Sequence, residues 1–115
     1  MKIVILPVVL DKIEELVPLL YEKGYFSYKA EARKYVDALY DDIQTNLPLK
    51  IKKPAPEYFE NKYGKGLYYS VFRKSKQTCW YVFFRMYEEN GYLIYQIRHM
   101  TNNHVDAKYF NQIES

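Results

Sequence analysis

Hydrophobic positions recur every three to four residues in the first half of the chain and every second residue in the last third. Val9, Ile13, Leu16, Val17 and Leu20 form one helical stripe, with Asp11, Glu14 and Glu15 on the other face. Acids in its first turns suit the positive end of the helix dipole, and Pro18 removes one hydrogen bond inside it. Lys23-Gly24 ends it, the glycine being able to take a left-handed cap. A second stripe runs through Tyr28, Ala32, Tyr35, Val36, Leu39, Ile43 and Leu47, with Ser27 placed as N-cap and Pro48 as stop. Only a few residues around Tyr25 and Phe26 separate the two helices, which predicts an antiparallel hairpin. Ahead of both, residues 2–6 read as a short strand apolar on both faces and closed by Pro7.

The alternating part contains three runs rich in β-branched and aromatic residues: 67–73, 78–86 and 91–98. Lys74-Ser-Lys-Gln77 and Glu88-Glu-Asn-Gly91 supply the turns between them. Residues 48–65, with Pro48, Pro54, Pro56 and several lysines, read as an extended, exposed connection without regular structure. A short helix follows from Asn103 to Asn111. The expected order is β-α-α-β-β-β in a single α+β domain over 1–115, the helical hairpin burying its stripe on one face of a small antiparallel sheet. That leaves the opposite sheet face open. Alternation sends Trp80, Val82, Phe84 and Met86 to the helices and leaves Tyr81 and Arg85 on the open face. In the last strand, Gln96 and Arg98 go to the open face, while His99 alternates with Ile97.

Composition adds a charge asymmetry. The 115-residue chain carries a net charge of +3. Lys50, Lys52, Lys53, Lys62, Lys65, Arg73, Lys74 and Lys76 are opposed between positions 50 and 76 only by Glu57 and Glu60. Such a distribution favours one positive face, suited to nucleic acid or an acidic protein, though a solvated basic loop explains it equally. The 14 tyrosines pack a core edge or stack on a ligand with little entropy loss. A single cysteine, Cys79, excludes an internal disulfide and suits a reducing compartment. No apolar run reaches the roughly 20 residues of a membrane helix, and Lys2-Ile-Val-Ile-Leu-Pro7 is too short for a signal peptide, so the expected location is the cytoplasm. Two histidines without close acid or thiol partners, and four glycines in all, argue against a metal site, a phosphate loop or a cofactor.

Candidate chemistry concentrates where the sheet ends. Arg98-His-Met-Thr-Asn-Asn-His104 places both histidines in one short segment, and imidazole alone titrates near neutrality unperturbed. With Arg73 and Arg85, these residues make a set able to hold a phosphate and move protons. Each also has a plainer reading: His99 as a strand-end residue bonded to backbone, His104 and Asn103 as cap or loop residues, Arg98 as a solvated arginine.

A short strand, two helices and an antiparallel sheet in this order resemble the RelE/ParE toxins of bacterial toxin–antitoxin pairs. Val4-Ile-Leu-Pro before an amphipathic helix, Ala32-Arg-Lys-Tyr-Val36, Trp80-Tyr-Val-Phe-Phe and Tyr92-Leu-Ile-Tyr-Gln-Ile97 are similar to the family's markers. Thr101-Asn-Asn-His-Val105 resembles a branch with an Asn-Asn-His segment after the last strand. The resemblance rests on pattern and order over nearly the whole chain. It implies a small cognate antitoxin as partner, no cofactor and one of two activities. RelE-like members cleave mRNA on the ribosome without a metal, whereas ParE-like members bind DNA gyrase without hydrolysis; a degenerate, inactive binding module is a third possibility. For the cleaving branch, the resemblance implies a catalytic set of Arg73, Tyr81, Arg85, Arg98, His99 and His104, with Lys74, Lys76, Asn103 and Lys108 on the nucleic acid. Tyr81 stands where the family carries its middle-strand arginine, so Arg73 and Arg85 are the replacements.

Overall fold

The computed structural model describes residues 1–106, so Lys108 and the expected helix beyond Asp106 lie outside the described residues. The order is β1 (Lys2–Ile5), α1 (Pro7–Glu22), α2 (Lys29–Asn46), β2 (Lys53–Pro54), α3 (Glu57–Tyr63), β3 (Tyr68–Arg73), β4 (Cys79–Glu89), β5 (Tyr92–Asn102) and α4 (Asn103–Asp106). The α+β class and the β-α-α-β-β-β core agree with the sequence pattern. The sheet order is β1-β5-β4-β3-β2. It is mixed, not purely antiparallel, because β1 runs parallel to β5 after the helical crossover.

Local chemistry explains the helix limits. Pro7 opens α1 at a position whose N–H has no intrahelical partner, so its ring costs nothing there. Gly24, at φ 80°, closes it. The Tyr25 N–H donates to the Leu20 carbonyl at 3.1 Å and the Gly24 N–H to that of Tyr21 at 3.0 Å. Ser27 does not cap α2: Tyr28 occupies the cap position in extended conformation, with no side-chain bond. Arg33 of α2 instead ties the helices, reaching Glu14 at 2.8 Å and its own-helix Asp37 at 3.3 Å.

Two buried clusters sandwich the sheet. On one side Val9, Ile13, Val17, Val36, Leu39 and Ile43 of the helices meet Phe72, Trp80, Val82, Phe84, Tyr95 and Ile97, the face that alternation assigns to them. The opposite face is not open. Phe59, Leu67, Tyr69, Cys79, Tyr81 and Phe83 form a second core there. Its lid comes from residues 48–65, which are not an irregular connection: they take in most of a 3-10 turn (Leu47–Leu49) and all of β2 and α3. The physical reason is Phe59, which is 1% exposed and stacks on Phe83 with centroids 4.4 Å apart. Seven residues of helix, with Phe59 at the centre and Tyr58 and Tyr63 beside it, are enough to cover the middle of a small sheet.

The β4–β5 turn is an Asn90-Gly91 pair, both at positive φ (52° and 81°), as a two-residue hairpin requires. Further along the same ladder the register slips: Phe83 faces His99, whereas Phe84 faces Ile97. Arg98 is the extra residue of a β-bulge. Strict alternation would put His99 with Ile97 under the helices. The bulge instead turns Arg98 and His99 to the same side, toward α3.

Candidate functional site

The site is built at the C-terminal end of α3. Gly64 leaves that helix at φ 118° and Gly66 follows at φ 76°, so the loop Tyr63-Gly64-Lys65-Gly66 lies close against the sheet. A Cβ on Gly64 would stand 2.5 Å from Nη1 of Arg98 and 3.8 Å from Cδ of Arg85; one on Gly66 would stand 3.9 Å from Nε of Arg85. Two guanidinium groups from neighbouring strands therefore converge on one loop, which only glycine allows to approach so near.

The two arginines are held differently. Arg98 is half-buried; its Nη1 donates to the Tyr63 carbonyl at 2.8 Å and its Nε to Oε1 of Gln96 at 2.9 Å. A cation at the carbonyl end of α3 is also favoured by the peptide dipoles. Arg85 is exposed and, among the described residues, makes no hydrogen bond or ion pair. The nearest carboxylate to the loop is Glu60, whose Oε2 accepts from the Gly66 N–H at 3.3 Å. The pair is an anchored guanidinium beside an unengaged one, a suitable receptor for the paired oxygens of a phosphate or carboxylate.

His99 lies next to this pair but is 7% exposed. Its ring is stacked on Tyr63 and close to those of Phe59 and Phe83. Its Nδ1 is 3.5 Å from Nζ of Lys12, a residue of α1.

The remaining candidates stand elsewhere. Arg73 pairs in register with Cys79, six positions before Arg85 on β4, or about 20 Å away at strand spacing. It is exposed there, as is Lys76 in the following turn. Lys74 is engaged with Asp42 of α2 at 2.9 Å. The Asp42 carboxyl is held below its usual range; burial alone would raise it, but hydrogen bonds from Asn46 and Lys74 outweigh that. His104 is exposed, its Nε2 3.4 Å from Oγ1 of Thr78. Asn103 stitches the sheet end, accepting from the Cys79 N–H and donating to the Gln77 carbonyl, both at 2.9 Å. It does not cap α4; Asn102 does, through its Oδ1 and the His104 N–H. Tyr81 is 5% exposed within the second core, so its hydroxyl-bearing ring is packing rather than an open-face group.

The structure thus gathers Arg85, Arg98 and His99 and separates them from Arg73, Lys74, Lys76, Asn103 and His104. It adds Tyr63, Gly64, Gly66 and Lys12, which the sequence reading leaves out, and Gln96, which alternation sends to the same face as Arg98. The Gly-Lys-Gly spacing, half the glycines of the chain within three residues, is the signal that marks the loop. Among the described residues no cluster of three or more His, Cys, Asp or Glu has metal-binding geometry, and no helix is long and apolar enough to cross a membrane. Comparison with known proteins gave no matching family model, no matching curated protein and no matching solved structure.

Proposed function

We propose that the protein is a RelE-like toxin of a toxin–antitoxin pair, acting in the cytoplasm on ribosome-associated mRNA and held inactive by a small acidic antitoxin. The observation that carries this reading is the convergence of Arg85 and Arg98 on the Gly64–Gly66 loop, with His99 the next residue along β5. Two guanidiniums complement the non-bridging oxygens of a phosphodiester. In the cleavage step the 2′-oxygen forms a bond to phosphorus and the bond to the 5′-oxygen breaks. His99 is the group assigned to proton transfer in that step, taking the 2′-hydroxyl proton or returning one to the 5′-oxygen. Arg85 and Arg98 neutralise the charge that builds on phosphorus.

A second reading, a ParE-like inhibitor that binds gyrase without hydrolysis, is favoured by the burial of His99 and Tyr81. One experiment separates the two. The protein is induced alone in a bacterial host, with Arg85→Ala and the Arg85→Ala/Arg98→Ala double variant in parallel, and the 5′-hydroxyl ends of ribosome-bound mRNA are mapped. Cleavage by the wild type, reduced in the single variant and lost in the double, is the expected result. Growth arrest with intact mRNA and a DNA-damage response selects the gyrase reading. No arrest at all overturns both.

A further inference from the structure

On the opposite face of the sheet, away from the arginine pair, an open groove of about 520 Å³ runs between the second half of α1, the α1–α2 connection and the β3–β4 and β5 ends. Its floor is apolar, formed by Leu16, Leu20, Phe26, Trp80 and Met100. The Trp80 indole N–H, which would otherwise oppose an apolar guest, is already donated to the Tyr35 hydroxyl at 2.9 Å. Leu19, on the groove wall, stays 42% exposed and Tyr25 65% exposed, so apolar surface here is left in water.

The rim is cationic at two points, one inside α1 and one at its C-cap. Lys12 and Lys23 line it, eleven residues apart, which on a helix is about 16 Å. Neither has a carboxylate partner among the described residues; the recorded contact of Lys12 is the His99 imidazole. Lys74 and His104 line it from the sheet side, Lys74 already neutralised by Asp42. Glu15 is the one acidic side chain lining the groove among the described residues.

We propose that this groove binds an amphipathic anion, a carboxylate with a medium-length hydrocarbon body. The cavity falls within the roughly 300–1,000 Å³ of small-molecule sites, and an apolar trough with a few placed charges is their usual composition. The carboxylate meets a rim ammonium, and the methylenes lie on Leu16, Leu19, Leu20 and Trp80 of the lining. The trough lies on the other sheet face from the arginine pair, and Lys12 is the residue that borders both.

The chain's single tryptophan, Trp80, is a built-in reporter. Full-length protein is titrated with decanoate and dodecanoate below their micelle concentrations, and with dodecyltrimethylammonium as the same chain bearing a cation. Fluorescence and calorimetry are recorded together. Saturable one-to-one binding is expected, stronger by about three- to fourfold per methylene, with the cation at least about tenfold weaker. Lys23→Ala lowers dodecanoate affinity at low salt and not that for the cation. Leu19→Glu, at an exposed position that leaves the fold intact by circular dichroism, abolishes anion binding. Non-saturating binding, a stoichiometry above one, equal affinity for the cation or full binding by Leu19→Glu overturns the proposal. A Trp80 response to an acidic amphipathic peptide but not to dodecanoate overturns it in favour of a protein partner.

Discussion

The Tyr63 ring lies almost parallel over the His99 imidazole, centroids 4.2 Å apart and planes 10° apart. The same tyrosine offers its carbonyl to Arg98. One residue at the end of α3 thereby fixes both side chains that the bulge turns toward it. Tyr63→Ala is expected to destabilise the fold by about 1–3 kcal/mol, from lost ring packing, and to lower nucleic-acid affinity by uncovering the His99 ring, while the backbone carbonyl that holds Arg98 stays in place. Tyr63→Phe keeps the ring on His99 and should cost less on both measures. Denaturant midpoints and filter-binding affinities for the two variants check this.

Gly64→Ala separates backbone strain from contact. Both Gly64 and Gly24 have positive φ, but a Cβ at Gly24 meets nothing within 4 Å, whereas at Gly64 it meets the Arg98 guanidinium at 2.5 Å. Gly24→Ala should cost about 1 kcal/mol. Gly64→Ala should cost more, about 1–3 kcal/mol, and alone should weaken phosphate binding. Equal losses in thermal melts would sink the account of a loop pressed against the arginines.

Tyr35→Phe removes the acceptor for the indole N–H of Trp80, a residue 3% exposed. An unsatisfied buried donor costs about 1–3 kcal/mol. The emission maximum of Trp80 should shift at the same time, because the indole loses its polar partner. A stability change under about 0.5 kcal/mol would show that the donor finds another partner.

Much of the architecture is legible in the hydrophobic periods. The stripes of α1 and α2 and the sorting of Trp80, Val82, Phe84 and Met86 onto one face follow from residue spacing alone, since both faces of a helix or strand are set locally. Two features are not local. Phe59 sits among prolines, lysines and glutamates that read as loop, and its burial depends on a sheet face whose residues lie on later strands, as far on as Tyr81 and Phe83. The bulge at Arg98 is one extra residue without a glycine or proline to mark it, so alternation places His99 on the wrong side. Of the candidate site, Arg85 and Arg98 are placed correctly by alternation; their gathering loop is not, because it belongs to the misread segment.

The Lys74–Asp42 pair gives the fold a pH signature. Asp42 is shifted below its ordinary value of 3.8 in the folded protein, so it binds fewer protons folded than unfolded. Its contribution is complete above that ordinary value and is lost as the pH falls through the depressed one. Asp42→Asn should flatten this acid limb, lowering stability at neutral pH by roughly 0.2–1 kcal/mol and leaving it nearly unchanged once the wild-type carboxyl is protonated. Urea titrations at neutral and acid pH measure the difference. An unaltered acid limb in Asp42→Asn would assign it to other carboxylates.

The parallel pairing of β1 with β5 carries a consequence for synthesis. Lys2 finds its partner at Ile94, 92 positions later. At about 5–20 residues per second, the first strand waits roughly 5–20 s on the ribosome for the last. Throughout that interval the strand Lys-Ile-Val-Ile has no sheet neighbour, and the helical hairpin lacks the Tyr95 and Ile97 part of its floor. Completion of the domain is therefore a late, single event set by the emergence of β5, and the nascent chain carries its stickiest edge first.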